Sequence, residues 1–236
     1  MALTLAHILS NAADPLRGGK CSAWEGGLHG TAFVHSELLP VAVRGTRLAA
    51  LMHAVDVLPT LVAAATGSHG ADLLSQSMQA EGRPLDGMSL WEHITGVNKQ
   101  PPRTELLMEL DPHYCCQPGG DSRYCGDQHG SGVGSGYYAL RQGDWKILVG
   151  DPSGGEGDGW YCSGAPCKYV GWEPTPVNLT AGSIQLFNIE TDPSERHDQA
   201  KTQPAIVTRL MKALEKYNAT GRQSSPNPHN PHLILT

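Results

Sequence analysis

One lysine in this sequence stands out by its company. Lys20 sits between two glycine pairs, Gly18-Gly19 and Gly26-Gly27, with Trp24 and Glu25 just ahead of the second pair and His29 close behind it. An apolar run, Thr31-Ala32-Phe33-Val34, follows at once. Glycines let the backbone turn tightly and let a ligand approach closely. A lysine held among them places a fixed ammonium at the mouth of a strand, and the chemistry this fits is anion binding. Out of context a lysine is a solvated surface residue. Here the glycine pairs and the strand set it apart, and His29 is a second candidate for contact with a bound ligand. The stretch is not a P-loop, because Asp14 stands where the first glycine is needed and Cys21 where Ser or Thr is needed. There is no His-Glu-x-x-His and no Gly-x-Ser-x-Gly. The glycine-rich stretches 130–136 and 154–159 follow no clear strand and read as flexible loops.

The six cysteines are the other reactive set. Cys115, Cys116, Cys125, Cys162 and Cys167 fall in two Gly- and Pro-rich loops, and Cys21 lies beside Lys20. Cys162 and Cys167 are spaced as half a zinc site could be, which another cysteine or a histidine would complete. Disulfides between the two loops are the simpler reading, because the loops flank a hairpin that brings their bases together; the pairing is left open, with Cys21 as the candidate free thiol. Asn178 and Asn218 each begin an Asn-x-Thr glycosylation signal. Cysteines and glycosylation signals together point to an oxidising, secretory compartment. The apolar start, Met1 to Leu9, has no basic leading region and holds His7, so it reads as no signal peptide, and a missing N-terminal part is expected.

Composition narrows the rest. The 236 residues suffice for one sizeable domain or two smaller ones, and 28 glycines with 17 prolines imply much loop. A net charge of -6 gives no support for nucleic-acid binding, which needs a basic patch. No run approaches the roughly 20 apolar residues of a membrane helix.

The elements that must position these residues follow from periodicity. A short helix is expected over 3–9. Thr31 to Ser36 reads as a strand buried on both faces, as in a parallel α/β sheet. Residues 47–54 read as a linking strand or turn. A helix capped by Asp56 should run to Ala65, with Leu58, Leu61, Val62 and Ala65 on its core face and Gly67 ending it. Residues 68–82 read as a loop, 84–87 as a turn, and Ser89 to Ile94 as a short helix closed by Gly96. Lys99-Gln100-Pro101-Pro102 is the candidate boundary. Beyond it, Glu105 to Leu110 is a strand, 137–141 and 145–149 form a hairpin, and Ile184 to Ile189 is a further strand. Asp192 to Glu195 is a turn. Pro204 opens a helix whose Ile206, Val207, Leu210, Met211, Leu214 and Tyr217 share one face. This second unit is a small antiparallel sheet with one packed helix, and residues 221–236 are a loose tail.

Five segments, in order, resemble the sulfatase family, in particular its arylsulfatase B-like branch. They are Pro15-Leu16-Arg17-Gly18-Gly19-Lys20 with Trp24-Glu25-Gly26-Gly27; Asp56-Val57-Leu58-Pro59-Thr60-Leu61; Pro84-Leu85-Asp86-Gly87 to Trp91; Arg141-Gln142-Gly143-Asp144-Trp145-Lys146; and Leu186-Phe187-Asn188-Ile189 through Asp192-Pro193-Ser194-Glu195 to Asp198. The resemblance covers residues 15 to about 217 and matches the C-terminal portion of the family. It implies an α/β fold: the C-terminal part of an alkaline-phosphatase-like sulfatase fold over 1–102, and a C-terminal α+β subdomain, a small antiparallel sheet plus helix, over 103–220. It also implies sulfate ester hydrolysis by a formylglycine nucleophile with Ca²⁺, on a sulfated small molecule or glycan, in the lysosome or outside the cell. Lys20 matches the family's lysine that contacts the substrate sulfate.

The departures are as informative. None of the six cysteines begins the family's Cys-x-Pro-x-Arg nucleophile segment, and its N-terminal Asp-Asp pair is absent. Before Lys20, where the family has Asp-Asn-Gly, stands Ser10-Asn11-Ala12-Ala13-Asp14, and His29 takes the place of an arginine. The expectation is therefore a sulfatase fragment that binds no Ca²⁺ and turns over no substrate by itself. The alternatives are a non-catalytic secreted module that binds anions or sulfated glycans, and a truncated product that folds poorly.

Overall fold

The computed structural model describes residues 2–6, 16–18, 22–111, 137–150 and 184–220. Its centre is a four-stranded antiparallel sheet of β3 (Glu105–Asp111), β4 (Tyr137–Gln142), β5 (Trp145–Val149) and β6 (Ile184–Asn188), in that order across the sheet. β4 and β5 meet at a two-residue turn, Gly143-Asp144, with Gln142 opposite Trp145. Gly143 has φ +58°, the positive value that this tight turn requires at its first central position.

Side chains alternate across a strand, so the sheet has two distinct faces. One carries Leu140, Ile147 and Leu186, all fully buried, under Leu210 and Leu214 of α5 (Pro204–Thr220). Ile206, Val207, Met211 and Tyr217 pack against the same cluster, so the whole apolar stripe expected of this helix faces the sheet. Glu105 fastens the helix's far end: it accepts from Tyr217 Oη at 2.7 Å and from Gln142 Nε2 at 2.8 Å. The opposite face presents Ala139, Leu148 and Phe187, covered by Ala23 and Trp24 from the segment that enters α1 (Glu25–Leu28). The indole of Trp24 is fully buried, with the Phe187 ring edge-on at 5.8 Å and the Arg17 guanidinium 3.6 Å from its centroid.

The remaining elements are smaller. A two-stranded sheet pairs β1 (Ala2–Ala6) antiparallel with β2 (Thr31–His35). A 3₁₀ turn at Ala54–Asp56 leads into α2 (Val57–Thr66), which packs on α3 (Ser68–Ala80) and touches α4 (Trp91–Ile94). Gly67, at φ +82°, ends α2, and Gly96, at φ +76°, follows α4.

Several expectations fail here. The start of the chain is a strand over residues 2–6, not a helix. β2 is not a core strand of a parallel sheet: it pairs antiparallel, and Phe33 is 53% exposed. Its apolar run could not reveal which neighbours it lacks. Residues 47–53 form no strand. α2 turns a different face inward: Pro59, Thr60 and Ala63 are buried, while Leu58 and Leu61 are exposed. The expected loop at 68–82 is mostly α3, which buries only Ala71 fully; its thin stripe of Ala71, Leu74 and Met78 suffices because α2 lies alongside.

Candidate functional site

The site is built around a lysine that the sheet buries. Lys146 lies on β5, on the face that carries Ala139, Leu148 and Phe187, directly across from Arg141 on β4. It is completely buried. Its Nζ lies 2.8 Å from Glu25 Oε1 and 2.8 Å from Glu195 Oε1. The backbone N–H of Glu25 donates to Glu195 Oε2 at 2.7 Å. One ammonium thus joins the first turn of α1, the middle of the sheet and the turn after β6. Glu195 holds φ +51°, a left-handed conformation that a non-glycine residue adopts only when its surroundings fix it. That turn is fixed in part by Asp192, whose Oδ2 accepts from the backbone N–H groups of Arg196 and His197.

The rim of the cluster is more open. His29 follows the last turn of α1, with Nδ1 3.2 Å from Glu25 Oε2, and 54% of its side chain is exposed. Arg141 NH1 lies 3.8 Å from the same oxygen. Burial pushes the Glu25 carboxyl up, but Lys146, His29 and Arg141 together outweigh it and hold the group at about 2. Glu195 goes the other way: burial raises it, and the neighbouring Glu25 charge adds to burial against the pull of Lys146. The hydrogen bond to Glu25 raises His29 above its ordinary value, against burial and the positive charges of Arg141 and Lys146. With both carboxylates ionised, Glu25 and Glu195 balance Lys146 and Arg141, and protonated His29 makes the rim positive.

Backbone packing at the start of α1 is equally tight. Gly26 N donates to Arg17 O at 2.7 Å, and a Cβ at Gly26 would lie 2.3 Å from Gly18 O. Gly18, at φ +70°, has room for no Cβ either, since one would lie 2.6 Å from Ser22 Oγ and 2.7 Å from Trp24 Cβ. The space these glycines leave at 18 and 26 is filled by the protein itself, by Ser22 and Trp24 side chains at Gly18 and by the backbone of Arg17 and Gly18 at Gly26.

A second buried carboxylate organises the helices. Asp56 is at the helix start where it was expected, but its side chain does not cap α2. Its oxygens accept from His53 N, Met88 N and Arg103 Nε and NH2, and Thr60 Oγ1 accepts from Leu90 N. Burial opposes ionisation of Asp56, and the Arg103 guanidinium and the backbone N–H groups overcome it, so the carboxyl sits below its usual range. Gly87 belongs to this node: a Cβ there would lie 2.0 Å from Val55 O.

The residues singled out by sequence fare unevenly. Lys20, the five loop cysteines Cys115, Cys116, Cys125, Cys162 and Cys167, Cys21 and Asn178 lie outside the described residues. Gly18 and Ser22, on either side of the Lys20 stretch, are buried. His29 is in the cluster, and Asn218 is exposed near the end of α5. Sequence reasoning missed Glu25, Lys146 and Glu195 as a unit. The signal was the strand alternation, which puts Lys146 on the same face as Leu148; a lysine on a core face calls for carboxylate partners. Among the described residues, no three His, Cys, Asp or Glu side chains are grouped to hold a metal ion. The two buried carboxylate nodes are closed by Lys146 and Arg103 instead, so the described residues do not fit a Ca²⁺ site.

The geometry can be set beside known proteins. No family model matches the chain. Mouse arylsulfatase J is 33% identical over 224 residues, covering 92% of this chain and 34% of that relative, so the chain spans about a third of the relative's length. The solved structure of Ps i-CgsB aligns at 22% identity and TM-score 0.51, covering 90% of this chain and 34% of that one, a likeness of fold. A structure from a Bacteroides thetaiotaomicron glycosaminoglycan-metabolism locus aligns at 18% identity and TM-score 0.48 over 86% of this chain and 32% of that one. The segments that resembled the sulfatases meet in the folded chain, three at the Lys146 cluster and two at Asp56, and the alignment with arylsulfatase J spans nearly the whole length: the chain belongs to the sulfatase family.

Proposed function

We propose that this chain is part of a sulfuric ester hydrolase of the arylsulfatase type, in which Lys20 contacts the sulfate group of a sulfated small molecule or glycan. The observation that carries the reading is the Glu25–Lys146–Glu195 cluster. It fixes the start of α1, five residues beyond Lys20, to the sheet and to the turn after β6. An ammonium held in a preset position neutralises charge on the sulfuryl oxygens and on the leaving oxygen as the ester bond breaks. In the full-length form the family's formylglycine would supply the nucleophile and Ca²⁺ would polarise the sulfate. The sequence has no Cys-x-Pro-x-Arg segment, so the 236-residue chain is expected to be inactive alone. The test is hydrolysis of 4-methylumbelliferyl sulfate by the purified chain with Ca²⁺ present. No turnover is expected; sustained turnover that Lys20→Ala abolishes would overturn the claim of inactivity.

A non-catalytic role in binding anions or sulfated glycans is the second reading. The anchored start of α1 favours it, because binding requires the Lys20 stretch to be presented but requires neither nucleophile nor metal. Calorimetry with a sulfated disaccharide separates the readings: binding lost in Lys20→Ala supports this one, and absence of binding by the folded chain removes it. The full-length protein is placed in the secretory pathway, lysosomal or extracellular. Exposed Asn218 is the testable part, as a shift in gel mobility on endoglycosidase treatment after expression in secretory cells.

A further inference from the structure

His29 and Arg141 reach the rim of the Lys146 cluster from different elements, the end of α1 and β4, and both lie within 4 Å of one atom, Glu25 Oε2. Glu25 is buried, and Lys146 holds its other oxygen at 2.8 Å, so a fixed carboxylate positions both cations. Each keeps a donor group beyond that contact. Arg141 Nε donates to Gly143 O at 3.1 Å and NH1 faces Glu25, while NH2 has no partner among the described residues. His29 faces Glu25 through Nδ1, and its Nε2 has no partner among the described residues either. The two side chains are 54% and 18% exposed, so the rim is open to a ligand. A planar guanidinium beside a ring N–H suits an oxyanion, whose oxygens accept from both.

One proton decides whether that pair is complete. Glu25, at about 2, stays ionised and can only accept, so His29 Nδ1 carries the hydrogen that faces it. In the neutral ring Nε2 is then an acceptor, and its lone pair repels an oxyanion. Protonation turns Nε2 into a second donor and adds a charge. The charged groups packed around His29 are Glu25 on α1, Arg141 on β4, Lys146 on β5 and Glu195 in the turn after β6. With both carboxylates ionised these four cancel. Arg17, buried against Trp24 with NH1 directed at Glu195 O, adds a positive charge behind them that pH does not change.

We propose that His29 Nε2 and the Arg141 guanidinium form an oxyanion site, switched on by protonation of His29, that takes a sulfate group, free or carried on a sugar. The site stands on the Glu25 cluster and not on the contact given to Lys20, so the two fail separately. Its affinity rises as pH falls, because only the imidazolium offers the second donor.

The test follows the His29 ring proton Hε1 by NMR in the 236-residue chain, with inorganic sulfate and glucose 6-sulfate as probes at constant ionic strength. Both probes keep their charge between pH 5.5 and 9, so a change in affinity over that range belongs to the protein. A saturable shift is expected at pH 5.5, with affinity at least about tenfold weaker at pH 9. Saturating sulfate should in turn raise the His29 titration midpoint by about one unit, since the coupling of proton and anion is the same seen from either side. Arg141→Gln should abolish the shift, and Arg141→Lys should restore part of it, which a loss of folding would not. In His29→Gln, calorimetry should show no change of affinity between the two pH values. Binding of glucose 6-sulfate supports the site with a sulfate carried on a sugar; binding of inorganic sulfate alone supports it with the free ion. A His29 resonance that neither probe moves, or equal affinity at both pH values, would overturn the proposal. So would a shift that Lys20→Ala also abolishes, since the anion would then belong to the Lys20 stretch.

Discussion

Lys146 is fully buried between two buried carboxylates, Glu25 and Glu195. Removing a buried ion's partner costs far more than the pair contributes, because the charge left behind is neither solvated nor matched. Lys146→Met is therefore expected to lower stability by about 3–5 kcal/mol in urea unfolding, while Lys212→Met, on the exposed side of α5, should stay within about 0.5 kcal/mol. His29 gives the cluster a pH dependence. It faces Glu25, with Arg141 and Lys146 nearby, and Glu25 at about 2 remains ionised throughout the neutral range. Since the folded-state value of His29 lies above its ordinary 6.5, its contribution is complete below that pH and is lost as pH rises through the folded value. Wild type should exceed His29→Gln in stability at pH 5.5 and match it at pH 9. The gap is a few tenths of a kcal/mol, roughly, because the ring is half in solvent; paired thermal melts across pH check this, and a gap that grows with pH would refute it. At this scale the sequence was half legible. Lys146 could have been recognised from its place in the alternation, but nothing local marks Glu25 or Glu195 as its partners, since they come from residues 121 away and from a different strand end.

Elements that bury a complete face were legible, and elements that bury little were not. β4, β5, β6 and α5 alternate or repeat cleanly because each lies against the sheet core, and their boundaries came out within a residue or so at the described ends. α3 was missed because a helix resting on one neighbour needs only a thin apolar stripe, and Gly70 and seven polar residues hide it. α2 was found but faced wrongly: its most apolar stripe is outward, and hydrogen bonds through Asp56 and Thr60, not hydrophobicity alone, set its rotation. The junction before α1 makes its own prediction. A methyl at Gly26 would press into the carbonyls of Arg17 and Gly18, which cannot move without disturbing the Arg17–Trp24 stack. Gly26→Ala should cost about 1–3 kcal/mol, measured by chemical denaturation. Gly30→Ala makes a useful comparison, because a methyl there meets open space.

Across the whole molecule, the sheet with α5 is closed on both faces and the region from β2 to α4 is not. Protection from hydrogen exchange should follow that division. Amides of Leu140, Ile147 and Leu186 are expected to exchange only with global unfolding, and those of α2 and α3 through local openings at least about tenfold faster. Uniform protection across both regions would contradict the division. Composition alone could not reveal it, since the outer leucines of α2 look like core residues until the structure shows them exposed. The Lys146 cluster also bears on how the chain is made. Glu25 meets Lys146 across 121 residues and Glu195 across 170. At a translation rate of about 5–20 residues per second, roughly 10–30 seconds separate the appearance of Glu25 from that of Glu195 on the ribosome. Through that interval Trp24 has no Phe187 and Glu25 no carboxylate to receive its N–H. The start of α1 therefore reaches its final packing only after Glu195 has been made.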